Sequence, residues 1–368
     1  MTLETLLTGI AWFILGFTVV QTTVAFLNYL FRIDFKSYAP NQQKLVSVII
    51  PVRNEESTIG YLLNDLAKQS YTKLEIIVVN DDSSDATAEQ VLDKQKTIPV
   101  IRLINSELKD AGWLGKNHAC FRGAREAKGS YLLFLDADVR LGRDAIYSTI
   151  GYLQQEHLLF MSVFPRQLIK SRALSRIVPL MNYILLSLLP LFLVKNARFA
   201  SLSAANGQFM LFDHELYQAL EPHKKFRKEK VEDIHIARYI KKNGYRTACL
   251  TGDENISCRM YDTYHDAMEG FSKNVYAFFG NSIVLGWLFW LITITGILWM
   301  LLLPWYILPL YLFLVVLTRR SISKTSMQNI QQNILIHYEQ LWTMGKLLYR
   351  ALHHHITKSH QWKGRSIT

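Results

Sequence analysis

"YLLFLDADVRLG", residues 131–142, decides how this chain is read. Five apolar or aromatic residues run straight into two aspartates with one alanine between them. A continuous apolar run of this length suits a strand covered on both faces, as in a parallel sheet. In an extended chain residues i and i+2 share a face. Asp136 and Asp138 therefore point the same way, and Ala137 leaves room between them. Two carboxylates that close repel each other and raise each other's affinity for protons. A divalent cation resolves the conflict. Hard oxygen ligands suit Mg²⁺ or Mn²⁺, which bind through one or two carboxylates plus substrate phosphates. A solvated strand-end turn is the competing reading of this D-x-D taken alone.

Working outward, "LVSVII" (45–50), "LEIIVV" (74–79) and "IPVIRLI" (98–104) read as further strands. "EESTIGYLLNDLAKQ" (55–69), "SSDATAEQVLDKQ" (83–95) and "GKNHACFRGAREAK" (115–128) read as the helices between them. Strands alternating with helices imply β-α-β units, an α/β fold with a Rossmann-like, mostly parallel sheet. Beyond residue 140, "LLFMSVF" (158–164), "GQFMLFD" (207–213) and "YRTACL" (245–250) look like strands. "KEKVEDIHIARYIKKNG" (228–244) reads as a helix ended by Gly244, and "YDTYHDAMEGFSKNVYAFFG" (261–280) as an amphipathic helix.

Ligands of such sheets bind beyond the carboxyl ends of the strands. The polar signals lie there: "PVRNEE", "NDDSSD" and "DADVR". Asp81 can accept from the N3–H of uracil, although Asp82, Ser83 or Ser84 could equally cap the next helix. "GWLGKNHA" (112–119) joins a turn, a cation and a helix start, so backbone N–H groups and Lys116 can meet phosphate. Asp233, beside Glu232 in "VEDIHIARY", is either an acid suited to the first turn of a helix or a general base for an acceptor hydroxyl. The chain has no G-x-x-x-x-G-K-[ST] and no G-x-G-x-x-G.

Of the 368 residues, half are hydrophobic and 12% aromatic, with a mean hydropathy of +0.08. That balance calls for membrane segments. Residues 6–31 are uncharged and long enough for a bilayer core of about 30 Å. They lack the basic start and small-residue cleavage pattern of a signal peptide. Residues 281–318 are also uncharged, and Pro304 near the middle favours a hairpin of two spans, 282–302 and 304–318. Arg32, Lys36, Lys44, Lys273, Arg319, Arg320 and Lys324 flank these spans, and the positive-inside rule places them in the cytosol. Residues 177–194 carry two prolines and are expected to lie on the membrane surface, with a buried core helix as the alternative. The resulting plan is a transmembrane helix in 1–35, a cytosolic domain in 36–280, the hairpin in 281–318 and a basic amphipathic tail in 319–368. A net charge of +11 fits anionic lipid headgroups better than nucleic acid in such a protein. Cys120, Cys249 and Cys258 show no C-x-x-C spacing and suit reduced cytosolic thiols.

The ordered set "SVIIPVRNEE", "EIIVVNDDSSDAT", "GWLGKNHA", "FLDADV", "NGQFMLF" and "VEDIHIARYIKKNGYR" resembles the motifs of family 2 glycosyltransferases with the GT-A fold, over about residues 45–260. "GWLGKNHAC", "SCRMYDTYHDAMEGFSKN" and "QWKGRSI" are similar to membrane-anchored members, the diaponeurosporenoate (carotenoid) and hopene-associated glycosyltransferases. The resemblance implies that Pro51, Arg53, Asn54, Glu55 and Asp81 line the nucleotide pocket and that Lys116 lies near the uracil or diphosphate. It makes Asp136 and Asp138 the metal motif and Asp233 the base of an inverting transfer, with Arg259 as a further phosphate contact. The usual "DDGS" reads Asn80-Asp81-Asp82-Ser83 here. No Q-x-x-R-W occurs, which favours transfer of one sugar to a lipid over polysaccharide assembly. A non-catalytic nucleotide-sugar-binding scaffold is opposed by the intact acids. A sugar-1-phosphate nucleotidyltransferase is opposed by the lack of a glycine-rich basic loop after the first strand.

Overall fold

A computed structural model describes residues 2–35, 38–106, 112–357, 361–362 and 365–366. Lys36 of the basic flank, and Lys363, Gly364 and Ile367 of the tail motif, lie outside these residues.

Ten strands carry the α/β part: β1 Val46–Val52, β2 Leu74–Asn80, β3 Ile101–Asn105, β4 Tyr131–Leu135, β5 Val139–Leu141, β6 Phe160–Phe164, β7 Arg166–Gln167, β8 Phe209–Asp213, β9 Thr247–Thr251 and β10 Ile256–Cys258. Seven form one sheet in the order β3-β2-β1-β4-β8-β6-β9. Neighbours pair in parallel except β8, which is antiparallel to both β4 and β6. The strand pleat sorts the apolar runs onto two faces. Val48, Ile50, Ile76, Val78, Leu133 and Leu135 enter one core, and Ile49, Ile77, Val79, Leu132 and Phe134 the other. Fully burying one such side chain stabilises the fold by about 1.5–3 kcal/mol.

Helix Ile59–Ala67 covers the first face with Ile59, Leu62, Leu63 and Leu66. Helix Gly115–Glu126 covers the second so closely that a Cβ on Gly123 would stand 2.5 Å from Ile49 Cγ2 and 3.0 Å from Val79 Cγ2. Helix Glu232–Lys242 ends as expected, with Gly244 in the left-handed region at φ +84°. A small second sheet, β5-β10-β7, follows directly on Asp138. Its strands of two or three residues are too short to show periodicity in the sequence.

Two of the described helices, Leu3–Leu30 and Ile283–Leu302, are long and apolar enough to cross a membrane. The chain turns through Pro304 and continues as helix Ile307–Thr325, which carries Arg319, Arg320 and Lys324 on the same helix as the apolar run. Residues 177–194 depart from the surface-lying expectation. They form two helices, Val178–Leu188 and Leu191–Asn196, broken at Pro190. Nine of the eleven residues of Val178–Leu188 are buried, and the helix packs against Leu3–Leu30 and Ile307–Thr325. The expected tail is also partly covered. Helix His337–Thr357 buries Leu341, Met344, Leu347, Leu348 and Ala351 in the helical core, with His353–His355 in its last turns. All three cysteines are buried and free.

Gly123→Ala sets a gain in helix propensity of up to ~1 kcal/mol against overpacking of about 1–3 kcal/mol. Because Ile49 and Val79 are fully buried and cannot step aside, the expected result is a lower thermal midpoint.

Candidate active site

Four sequence-distant segments meet at one rim of the sheet. The first is the end of β4, where Asp136 and Asp138 follow Leu135. The second is the amino end of β8. Because β8 runs against its neighbours, Asn206, Gly207 and Gln208 arrive at the rim reached by the carboxyl end of β4, with Leu135 paired to Phe209. The third is the start of helix Gly115–Glu126, carrying Lys116, and the fourth the start of helix Glu232–Lys242, carrying Glu232 and Asp233.

Lys116 Nζ lies 2.7 Å from Asp136 Oδ1 and 2.9 Å from Oδ2, and 3.8 Å from Glu232 Oε1. Burial disfavours its ammonium, but Asp136 and Glu232 outweigh that cost and hold it protonated well above the usual lysine range. Gly207 N donates to Asp233 Oδ2 at 2.9 Å, and Ile234 N donates to Oδ1 at 2.8 Å. Both carboxylate oxygens of Asp233 are thus fixed in direction. Burial raises its proton affinity, and these two N–H groups temper the rise. A Cβ on Gly207 would stand 3.2 Å from Lys116 Nζ and 3.3 Å from Glu232 Oε1, so glycine is what lets the cation, the acids and the backbone close up.

Asp138 is more enclosed. Gln208 Nε2 donates to its Oδ2 at 3.3 Å and to Cys258 Sγ at 2.9 Å. The Cys258 thiol hydrogen-bonds the Asp138 carboxylate in turn. Asp138 Oδ1 is buried with no hydrogen-bond partner among the described residues. Burial, then Asp136, push this carboxyl up to about 7. An orphaned carboxylate oxygen beside a second carboxylate is an arrangement that a divalent cation would satisfy. Among the described residues no cluster of three or more His, Cys, Asp or Glu side chains could hold a metal. A cation here would take its remaining ligands from substrate oxygens or water.

The loops after β1 and β2 are stitched together where the sequence places a nucleotide. Arg53 Nη1 donates to the carbonyls of Asp81 (2.6 Å) and Asp82 (3.1 Å) and lies 4.0 Å from the buried Asp81 carboxylate. Asn54, left-handed at φ +52°, receives Ser84 N on its Oδ1 at 2.9 Å and donates its own N–H to Ser83 Oγ at 3.1 Å. Glu55 N donates to Thr87 Oγ1, and the Glu55 carboxylate is near enough to raise the proton affinity of Asp138. Pro51 pairs with Val79 in the sheet. Asn80, standing where an acid was expected, accepts from Ser83 N and so closes the turn. The Arg259 N–H donates to the Asp138 carbonyl at 3.4 Å, but its guanidinium pairs with Asp262. Trp113 packs on His118 and Phe121 of its own neighbouring helix.

Sequence reasoning passed over Glu232, Gln208 and Cys258 as parts of the site. Glu232 had a visible signal, an acid pair at a helix start. Cys258 had none, because it reaches Asp138 through the antiparallel register of β10 on β5.

Burial, eased by Lys116, pushes the Glu232 carboxyl up from 4.5 to about 7. An acid with a raised folded value adds stability that is present below its unfolded value and drains away as pH rises towards the folded one. The parent is therefore expected to lose thermal stability between pH 4.5 and 7, and Glu232→Gln to flatten that loss. An unchanged slope in unfolding scans across that range would remove the assignment.

The family model described as Glycosyl transferase family 2 matches residues 47–220. The 4,4'-diaponeurosporenoate glycosyltransferase of Staphylococcus haemolyticus (strain JCSC1435) is 28% identical over 259 residues, covering 67% of this chain and 65% of that protein. The enzyme of the same name from Staphylococcus aureus (strain USA300) is 29% identical over 237 residues, covering 63% of this chain and 61% of that protein. The chain thus spans a little under two thirds of the length of these relatives. Mannosyltransferase PcManGT from Pyrobaculum calidifontis, solved in complex with GDP-Man and Mn²⁺, matches with a TM-score of 0.60 at 18% identity, covering 98% of this chain and 100% of that one. That likeness confirms the GT-A type α/β fold. With the ordered rim motifs, the fold and the family match in agreement, residues 47–220 form a glycosyl transferase family 2 domain.

Proposed function

We propose that this chain is a membrane-anchored, inverting glycosyltransferase. It moves one sugar from a nucleotide sugar, a UDP-hexose, to a membrane lipid at the cytoplasmic face. The acceptor class is a carotenoid acid or another isoprenoid or glycerolipid, in keeping with the names of the relatives above. The observation that carries the reading is the meeting of Lys116, Asp136, Asp138 and an oriented Asp233 at one rim. A non-catalytic nucleotide-sugar scaffold would not need a buried base held by two N–H groups.

The nucleoside lies along the loops bearing Pro51, Arg53, Asn54, Glu55 and Asp81. Asp136 and Asp138 hold Mg²⁺ or Mn²⁺, which supplies positive charge where the diphosphate leaves. Lys116, at the amino end of its helix, adds an ammonium and helix N–H groups to the same task. Asp233 takes the proton from the acceptor hydroxyl or carboxylic acid. Its burial raises its basicity, and its fixed oxygens aim it. The acceptor oxygen attacks the anomeric carbon as the nucleoside diphosphate departs, so the configuration inverts. Leu3–Leu30 and the hairpin beginning at Ile283, with basic residues at their cytosolic ends, keep this rim beside the bilayer.

Asp233→Asn is expected to cut transfer about 10²–10⁴-fold while thermal unfolding and UDP binding stay near the parent's. The check is nucleotide release by the purified protein with a lipid extract as acceptor, and parent-like turnover would dispose of the base. Gln208→Leu leaves Asp138 without one of its positioning partners. It is expected to weaken Mn²⁺ binding about 10–100-fold, as loss of an outer partner typically does. Titration of Mn²⁺ in the presence of UDP reads this directly, and an unaltered affinity counts against the metal site.

A further inference from the structure

Helix His337–Thr357 carries large side chains on two opposite sides. Leu341, Met344, Leu347, Leu348 and Ala351 enter the helical core. Tyr338, Trp342, Lys346, Tyr349, His353 and Ile356 recur at steps of three and four, which sets them in one stripe on the other side. All six are exposed, Trp342 by 60%, Tyr349 by 65% and Ile356 by 71%.

The chemistry of the stripe selects what covers it. Hydrocarbon would strand Lys346, Arg350 and His353–His355, so this helix does not cross a bilayer. Water would leave a row of rings and Ile356 unburied. The headgroup layer suits both kinds of residue. Trp and Tyr set an apolar ring and a polar edge there, and a lysine stem reaches up to the phosphates. Glu339 is the only acid of the helix and is taken by Arg172 and Arg176, which leaves Lys346 to set the charge of the stripe.

The stripe also adjoins a membrane-crossing surface. The helix packs on Ile283–Trp299, where Trp290 Nε1 donates to the Leu341 carbonyl at 2.8 Å and a Cβ on Gly345 would stand 2.8 Å from the Trp290 ring. That long apolar helix exposes Val284, Leu285, Leu288 and Leu291. A second copy of the chain is a poorer occupant. A one-helix stripe about 27 Å long and about 10 Å wide offers roughly 270 Å², well short of the ~800 Å² per partner of a stable complex. Towards its end the helix is tied to the segment that follows Arg259. Glu269 of helix Tyr264–Ser272 takes both Arg350 and His354, and Tyr276 Oη donates to the Leu348 carbonyl at 2.8 Å.

We infer that helix His337–Thr357 lies in the headgroup layer of the cytoplasmic leaflet, with Trp342 and Tyr349 at the edge of the acyl chains and Lys346 on lipid phosphates. This rests on the membrane-anchored reading above, and the test separates the two. Tyr349→Cys, Leu291→Cys and Leu92→Cys each carry a nitroxide on the full chain in nanodiscs of phosphatidylcholine and phosphatidylglycerol. The three native cysteines are buried. Leu291 on the apolar helix and Leu92 on Thr87–Thr97, both exposed, set the lipid and water limits. Power-saturation EPR compares access of oxygen and of a nickel chelate. The oxygen-to-nickel ratio at Tyr349→Cys is expected several-fold above that at Leu92→Cys and below that at Leu291→Cys. A water-like ratio at Tyr349→Cys with a lipid-like one at Leu291→Cys overturns this inference alone. Water-like ratios at both overturn the anchored reading and this inference with it. Spin–spin broadening at Tyr349→Cys that disappears on dilution with unlabelled protein would show a second copy on the stripe and overturn it as well. Should labelled Tyr349→Cys fold poorly, lipids brominated near the headgroup end of the acyl chain decide. They should quench a larger fraction of the fluorescence of the parent than of Trp342→Phe, and equal fractions overturn the inference.

Discussion

One ammonium makes the rim possible. Asp136, Asp138, Glu232 and Asp233 are four acids in a small, poorly solvated space, and their mutual repulsion would otherwise open it. Lys116 meets both oxygens of Asp136 and lies within reach of Glu232, so two helices and a strand end are drawn to one point. The remaining excess of negative charge is what the divalent cation of the proposed mechanism would balance.

The reversed strand β8 matters as much as the ion pair. A seventh parallel strand would have put Gly207 and Gln208 at the far edge of the sheet. Running antiparallel between β4 and β6, β8 delivers the Gly207 N–H to Asp233 and the Gln208 amide to Asp138. Gly207 also supplies the missing side chain that lets Lys116 and Glu232 approach. Asp233, Asp138 and Lys116 are thereby positioned by a single turn of backbone.

The helical region follows a different physical logic. Its interior is not uniformly apolar: Thr22 bonds Thr318 at 2.8 Å, Asn28 spans to the Leu186 and Leu189 carbonyls, and Gln340 bonds Asn333 and the Ser175 carbonyl. Such contacts fix the register of packed helices where shape alone discriminates poorly. They also explain why Val178–Leu188 sits inside the bundle. Its Leu186 carbonyl and its Ser187 hydroxyl are partners of Asn28 and Gln21 on Leu3–Leu30, contacts a surface helix would not make.

Properties set by neighbours along the chain were legible from the sequence. The apolar runs of β1, β2 and β4 are local, whereas Asp136 and Asp138 stand on a turn after Leu135, closed by Val139 N donating to the Asp136 carbonyl at 3.2 Å, and not on the extended chain that the i, i+2 argument expected. The Gly244 helix stop and the two long apolar helices were equally readable. Tertiary structure alone decided which residues complete the site and where the ambiguous segments go. Cys258 and Gln208 reach Asp138 only after β10 pairs with β5 and β8 with β4. The Arg259 guanidinium pairs with Asp262, and Arg319 loses solvent only when the helices bearing Tyr183 and His337 close on it. The reason is common to all of these cases. Periodicity and spacing encode which face a residue occupies, whereas burial and partner choice depend on long-range pairing that no short window of sequence contains.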